Sequence, residues 1–424
     1  MVTVFGLWHL GSVTAACCAE HFPTVGLDPD EDRIRQLSEG QAPLHEPGLD
    51  SLIQAGIESK NLHFSSNLRD VLSNTQVLWV TFDTPVDDDD HADTDWVIDQ
   101  IRSAVPLLNP GTVVLISSQL PVTTTRKLEQ EFSERQLYFA VSPENLRLGK
   151  SLEIFRSPGR IVVGTRNDSA KEVIAKVLEP FCDNILWMSI ESAEMTKHAI
   201  NAFLAVSVTY ANELARLCEG VGANAHEVAQ GLKSESRIGP GAYVSPGGAF
   251  AGGTLARDVQ FLKALASVED AQLFVIPAIL QSNTHHKSWA LTRLQEILGK
   301  LTNRRIGILG LTYKPGTSTL RRSNALELAK RLVESGAKVS ALDPAVQRDD
   351  AELGMIELAS SAEDLFQFAD AVVLMTEWPE FRTLDWNMLI PLMNRPVILD
   401  QDRFCGAAVD ATGLAAKYYS VGVS

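Results

Sequence analysis

Short apolar runs alternate with longer stretches of helical spacing along most of the chain. Val2-Thr3-Val4-Phe5 has the character of a buried strand and leads through a glycine-punctuated turn into a segment with helical spacing from Ser12 to about Phe22. A second strand then ends at Leu27-Asp28. The same order returns much later. Arg304 to Leu311 reads as strand and turn, Asn324 to about Ser335 as helix, and Lys338 to Asp343 as a second strand closed by aspartate. Two such units far apart predict two doubly wound, Rossmann-like α/β domains. Buried parallel strands are expected at Val77 to Thr81, Val113 to Ser117, Tyr138 to Val141 and Ile161 to Val163 in the first domain. Ala371 to Met375 and Pro396 to Leu399 extend the second.

Between these halves the period changes. From about Ser192 to Gly220 the spacing is helical with no internal Gly or Pro, which suits a long connecting helix and a dimerisation core. A further helical tract, about Leu255 to Leu298, completes a central helical domain. The expected division is 1–188, 189–300 and 301–424.

The chain has 424 residues, 45% of them hydrophobic and 21% charged, an ordinary globular composition that allows two or three domains. A formal net charge of −16 argues against a general nucleic-acid or anionic-membrane binder, so any phosphate must be held by local devices. Cys17, Cys18, Cys182, Cys218 and Cys405 are scattered without metal-ligand spacing and read as small buried residues in a reducing compartment; no metal site is expected. No apolar run reaches the ~18 residues of a membrane span, and no basic leader precedes Val2. The expected location is the cytoplasm.

The first glycine turn, Gly6-Leu7-Trp8-His9-Leu10-Gly11, keeps the first and third glycines of a dinucleotide fingerprint and has Trp8 in place of the second. Asp28 ends the next strand, where an acidic residue accepts hydrogen bonds from a ribose and disfavours a 2′-phosphate. These residues leave two readings open: a degenerate NAD site, or a Rossmann unit for another ligand or none.

Further motifs follow in order: His45-Glu46-Pro47-Gly48-Leu49, then Thr84-Pro85 before the acidic run Asp87 to Asp90, and Ser142-Pro143-Glu144-Asn145-Leu146-Arg147-Leu148-Gly149. Glu194 to Ala202 carries Lys197 and Asn201. After it come Ser236-Arg237-Ile238-Gly239, Phe250-Ala251-Gly252-Gly253-Thr254-Leu255-Ala256-Arg257-Asp258, Tyr313-Lys314-Pro315, Leu320-Arg321, Asp343-Pro344 and Asp400 to Arg403. Together they resemble the UDP-glucose/GDP-mannose dehydrogenase family over nearly the whole chain. The resemblance implies an NAD-dependent oxidation of a nucleotide-sugar hydroxyl, with a UDP-sugar as the expected substrate and a homodimer formed through the central helix.

Lys197 and Asn201, at i and i+4, share a helix face and can address one reacting oxygen, although such a pair also occurs as plain surface charge. The resemblance makes these two and Asp258 the groups that stabilise oxyanions and assist proton removal, and gives Glu144 the place of a general base. It puts Thr254 where the family has a cysteine nucleophile. A thiol has a pKa near ~8.5 and is readily activated, whereas a threonine hydroxyl is a far weaker acid and is hindered by its methyl group. Gln119 and Leu148 also depart from the pattern, and Arg257 and Ala256 replace a loop Lys and Pro.

The resemblance places Gly6, Trp8, Gly11, Asp28, Thr84 and Arg321 at the cofactor. Leu146, Arg237, Tyr243, Phe250, Gly252, Lys314 and Arg403 fall at the substrate, with Lys314 and Arg403 neutralising its charge. Three outcomes stay open: one two-electron oxidation, a complete four-electron oxidation to a uronate through a gem-diol without a covalent thioester, or a non-catalytic nucleotide-sugar-binding protein.

Overall fold

The computed structural model describes residues 1–84, 93–144, 146–347 and 350–423, which form two compact units, Met1–Ala199 and Ile200–Ser424. Pro85, the acidic run Asp87 to Asp90 and Asn145 lie outside the described residues.

The first unit is built on an eight-stranded sheet. Its strands are β1 (Val2–Phe5), β2 (Thr24–Leu27), β3 (Leu62–Ser65), β4 (Val77–Val80), β5 (Val113–Ile116), β6 (Tyr138–Val141), β7 (Ile161–Thr165) and β8 (Ile185–Met188), in the order β3-β2-β1-β4-β5-β6-β7-β8. All four residues of β1, β4 and β5 are buried, as strands covered on both faces must be. The structure corrects one expectation: β7 runs antiparallel to β6 and parallel to β8. A parallel return needs a crossover that spans the sheet, whereas the connection from β6 to β7 holds only the six-residue helix Ser151–Arg156.

The second unit carries a six-stranded, all-parallel sheet. Its strands are β9 (Arg305–Leu309), β10 (Lys338–Leu342), β11 (Glu357–Leu358), β12 (Ala371–Leu374), β13 (Val397–Asp400) and β14 (Lys417–Tyr419), ordered β11-β10-β9-β12-β13-β14. That is a doubly wound order, in keeping with the doubly wound domain expected from the strand–helix–strand segment Arg304 to Asp343.

A 32-residue helix, Ile190–Val221, runs continuously from the first unit into the second. The expected tract from Leu255 to Leu298 resolves into three helices, Thr254–Val268, Val275–His286 and Trp289–Leu298. Ala215, Cys218, Trp289 and Leu294 of these helices share a core with Ile306 and Ile308 of β9. Among the described residues no helix is long and apolar enough to cross a membrane.

Candidate functional site

In the first unit the chemistry collects where strands end and loops begin. Gly6 has φ +98°, and a Cβ there would sit 2.6 Å from the Phe82 ring; a Cβ on Gly11 would lie 1.7 Å from the Gly6 carbonyl oxygen. Both positions therefore require glycine. The helix His9–Ala19 starts directly after the turn, with no side-chain cap and no acidic residue in its first turn. Its first N–H groups and positive dipole end suit a pyrophosphate. Trp8 has φ −75°, outside the left-handed region that would demand glycine, and its exposed indole has the Arg33 guanidinium 5.2 Å from its centre. The cradle thus fits a dinucleotide even with tryptophan at its second position.

Asp28 is fully buried. Its carboxylate accepts the Leu7 N–H at 2.6 Å, the Asp30 N–H at 2.9 Å and the Arg33 guanidinium at 2.9 and 3.0 Å, so it latches the glycine turn to the end of β2. The second unit repeats the device. Gly310 has φ +85°, and Asp343 at the end of β10 accepts the Leu311 N–H at 2.7 Å and the Thr312 N–H at 3.0 Å.

Glu144 leaves β6 in a turn in which its carboxylate accepts the Leu146 N–H at 2.6 Å. Lys197 donates to the Glu144 carbonyl at 2.6 Å and has its ammonium 3.8 Å from the carboxylate. Both side chains line a small pocket with Ser117, Ser118, Gln119 and Glu194. Ser118 is buried there, and its Oγ has no hydrogen-bond partner in the structure. Thr84 donates to the Gln119 carbonyl at 2.9 Å, tying the β4 exit to the same wall. Leu146 is half-buried and lines a second pocket in the same unit with Leu10, Trp79 and Phe155.

Two acids in this unit hold loops. Glu46 accepts the N–H groups of Gly149 and Ser151, each at 2.9 Å, and pairs with His9 at 3.1 Å. Burial pushes its carboxyl up, but these donors outweigh that and leave it below the ordinary value. Glu194 accepts the N–H groups of Thr123 and Thr125 at 2.6 and 3.1 Å; there burial dominates and its carboxyl titrates above the ordinary range. Thr123 sits at φ +79°, a left-handed conformation that is costly for a β-branched residue.

In the second unit, Asp258 is fully buried one turn into the helix Thr254–Val268 and accepts a hydrogen bond from the Asn201 amide. Thr254 is the first residue of that helix and is exposed, after Gly253 at φ +104°. Phe250 packs against Ala202, Ala205, Val259 and Ile279, and Gly252 is half-buried beside it in sequence. Lys314 and Arg403 are exposed, and Arg321 is half-buried. Arg237 pairs with Glu235 at 3.0 Å on the open surface, and Tyr243 is exposed.

Asn212, Asn283 and His286 escaped the sequence reading, although each is buried. The signal was there: each is a polar residue on the core-facing stripe of an otherwise amphipathic helix.

Three family models match the chain. Residues 1–182 match the NAD binding domain of the UDP-glucose/GDP-mannose dehydrogenase family, 191–285 its central domain and 307–407 its UDP binding domain. The UDP-glucose 6-dehydrogenase of Rickettsia bellii (strain RML369-C) is 30% identical over 432 residues, covering 99% of each chain. That of Rhizobium meliloti (strain 1021) is 33% identical over 415 residues and covers 94% of each. A solved UDP-glucose dehydrogenase from Pyrobaculum islandicum superposes with a TM-score of 0.83 at 27% identity, covering 100% of this chain and 98% of its own.

Proposed function

The chain belongs to the UDP-glucose/GDP-mannose dehydrogenase family, and from that membership we propose that it oxidises a hydroxyl, at C6, of a UDP-sugar such as UDP-glucose, with NAD as cofactor. NAD, when bound, supplies a hydride acceptor. Gly6 and Gly11 shape its cradle, the start of the His9–Ala19 helix meets its pyrophosphate, and Trp8, Asp28, Thr84 and Arg321 complete its surroundings. Leu146, Arg237, Tyr243, Phe250, Gly252, Lys314 and Arg403 take the nucleotide sugar.

The observation that carries this reading is the buried Asn201–Asp258 hydrogen bond, one helical turn from Lys197 on the same continuous helix. Lys197, held by its hydrogen bond to the Glu144 carbonyl, takes up the hydroxyl proton as a free amine, while Asn201, oriented by Asp258, donates to the developing oxyanion. Thr254 stands in the family nucleophile's place. Asp258, one turn further on, is committed to Asn201, so it does not serve as a base for the Thr254 hydroxyl. The reaction therefore stops after one two-electron oxidation, at the aldehyde.

A second reading is favoured by the pocket beside Glu144 and Lys197, where the buried Ser118 hydroxyl offers a further partner to a water. Glu144 would accept a proton from that water as it adds to the aldehyde, and the gem-diol would give up a second hydride. The acting form is a cytoplasmic homodimer. Phe203, Tyr210 and Leu217 support this, because they lie seven residues apart on the long helix and are 70, 52 and 67% exposed. We assign 1–188 to the cofactor, 189–300 to dimerisation and 301–424 to the nucleotide.

The test is to incubate the protein with NAD and a panel of UDP- and GDP-sugars and count NADH formed per sugar consumed. One equivalent is expected. Two equivalents would replace the first reading with the gem-diol route, and binding of a nucleotide sugar without any NADH would overturn both.

A further inference from the structure

The segment entering the Thr254 helix is held residue by residue by side chains from distant parts of the second unit. Asn212, on the long helix, accepts the Gly247 N–H at 3.0 Å and donates to the Gly248 carbonyl at 3.3 Å. Asp402 accepts the Gly248 N–H at 2.9 Å, and Asn324 donates to the Ala249 carbonyl at 2.8 Å. Asn283, on the helix Val275–His286, accepts the Phe250 N–H at 3.0 Å and donates to the Phe250 carbonyl at 2.7 Å. His286 meets the Gly247 carbonyl through Nε2 at 2.9 Å. A carbonyl only accepts, so Nε2 carries the proton and Nδ1 accepts from Arg216, also at 2.9 Å. Both main-chain groups of Gly247, Gly248 and Phe250, and the Ala249 carbonyl, are thus bonded to side chains.

Loops rarely receive this treatment, since exposed main chain is ordinarily satisfied by water. Asn212, Asn283 and His286 are at least nine-tenths buried, and burying a side-chain amide or imidazole is costly unless all its bonds are made. Asn283 makes the two-bond contact a neighbouring strand would make, which fixes the plane of Phe250 and so the entry to Gly252, Gly253 and Thr254.

We propose that Asn283 is a positioning residue: with Asn212, His286 and Asn324 it presets the 247–253 segment in the form that receives the nucleotide sugar. This rests on the reading above that Phe250 and Gly252 contact the substrate. Ordering such a segment at the moment of binding would subtract from affinity, and presetting it removes that loss.

Two variants test the proposal. Asn283→Leu keeps the branched shape and removes both bonds, and Asn324→Ala is a milder change at a half-buried position that removes the bond to Ala249. Amide hydrogen exchange in the free protein is expected to rise about tenfold or more at Phe250 in Asn283→Leu and less in Asn324→Ala. The KM for the nucleotide sugar should rise by about tenfold in Asn283→Leu, with the KM for NAD unchanged.

Unchanged exchange at Phe250 in a folded variant would overturn the proposal, as would raised exchange with an unaltered KM for the sugar. If Asn283→Leu does not fold, Asn324→Ala decides by the same two measurements. Should the wild-type protein bind no nucleotide sugar, the functional reading fails on that ground alone, and with it the assignment of a receiving form. Raised exchange would then still establish that Asn283 orders the segment.

Discussion

At the scale of single residues, Thr254 and Thr123 make opposite demands. Thr254 lies exposed at the start of its helix, where the N-terminal dipole lowers the pKa of a thiol and activates it. Thr254→Cys is therefore expected to raise the yield from one NADH per sugar to two, read by absorbance at substrate exhaustion; an unchanged yield would count against the position as the missing nucleophile. Thr123 is held at φ +79° with its N–H on the Glu194 carboxylate. Thr123→Gly should stabilise the first unit by about 1 kcal/mol, seen as a higher urea midpoint, and a lower midpoint would mean that the threonine side chain holds the turn. Neither strain nor acid commitment is legible in a sequence. Motif order singles out Lys197, Asn201 and Asp258 as candidates, but the Asn201–Asp258 contact joins residues far apart in the chain. The Asp28 carboxylate reads as a ribose acceptor by position, and only the fold reveals its three protein partners.

At the scale of elements, what the sequence announced were the interior strands of the two sheets, β1, β2, β4, β5, β6, β7, β9, β10, β12 and β13, because continuous apolar runs have few other uses. The edge strands β3, β8, β11 and β14 were missed, since they are short or only partly buried and carry no such run. The long helix was legible from its unbroken period, and its outer face carries a test. Phe203→Glu together with Leu217→Glu is expected to give a monomer in sedimentation, whereas a dimer of wild-type strength would move the contact elsewhere. The helix Val275–His286 sets a pH limit. Burial lowers the His286 pKa from 6.5 to about 4, with Arg216 reinforcing it and the Gly247 carbonyl opposing it. A depressed folded value means that the stability it supports is complete above pH 6.5 and is lost as pH falls towards 4. His286→Gln retains a donor and should flatten the fall in urea midpoint over that window, by up to about 3 kcal/mol; an identical pH slope would assign the fall to other groups.

At the scale of the whole molecule, the two units each carry a binding duty in the proposed function, so ligands should stabilise them separately. NAD at a hundred times its Kd is expected to raise the unfolding free energy of Met1–Ala199 by about 2.7 kcal/mol, and UDP to do the same for Ile200–Ser424. Hydrogen exchange resolved along the chain reads both; protection by UDP confined to the first unit would reverse the assignment. The two units also share a local device. Gly6 with Asp28 and Gly310 with Asp343 make the same latch, down to an N–H of the residue after the glycine on the aspartate Oδ2 at 2.6 and 2.7 Å. If one half arose as a copy of the other, the latch is the inherited part and nucleotide choice the acquired part. Purifying selection on those two aspartates would then act through folding in both halves, and the record of how their ligands diverged is written elsewhere in the loops.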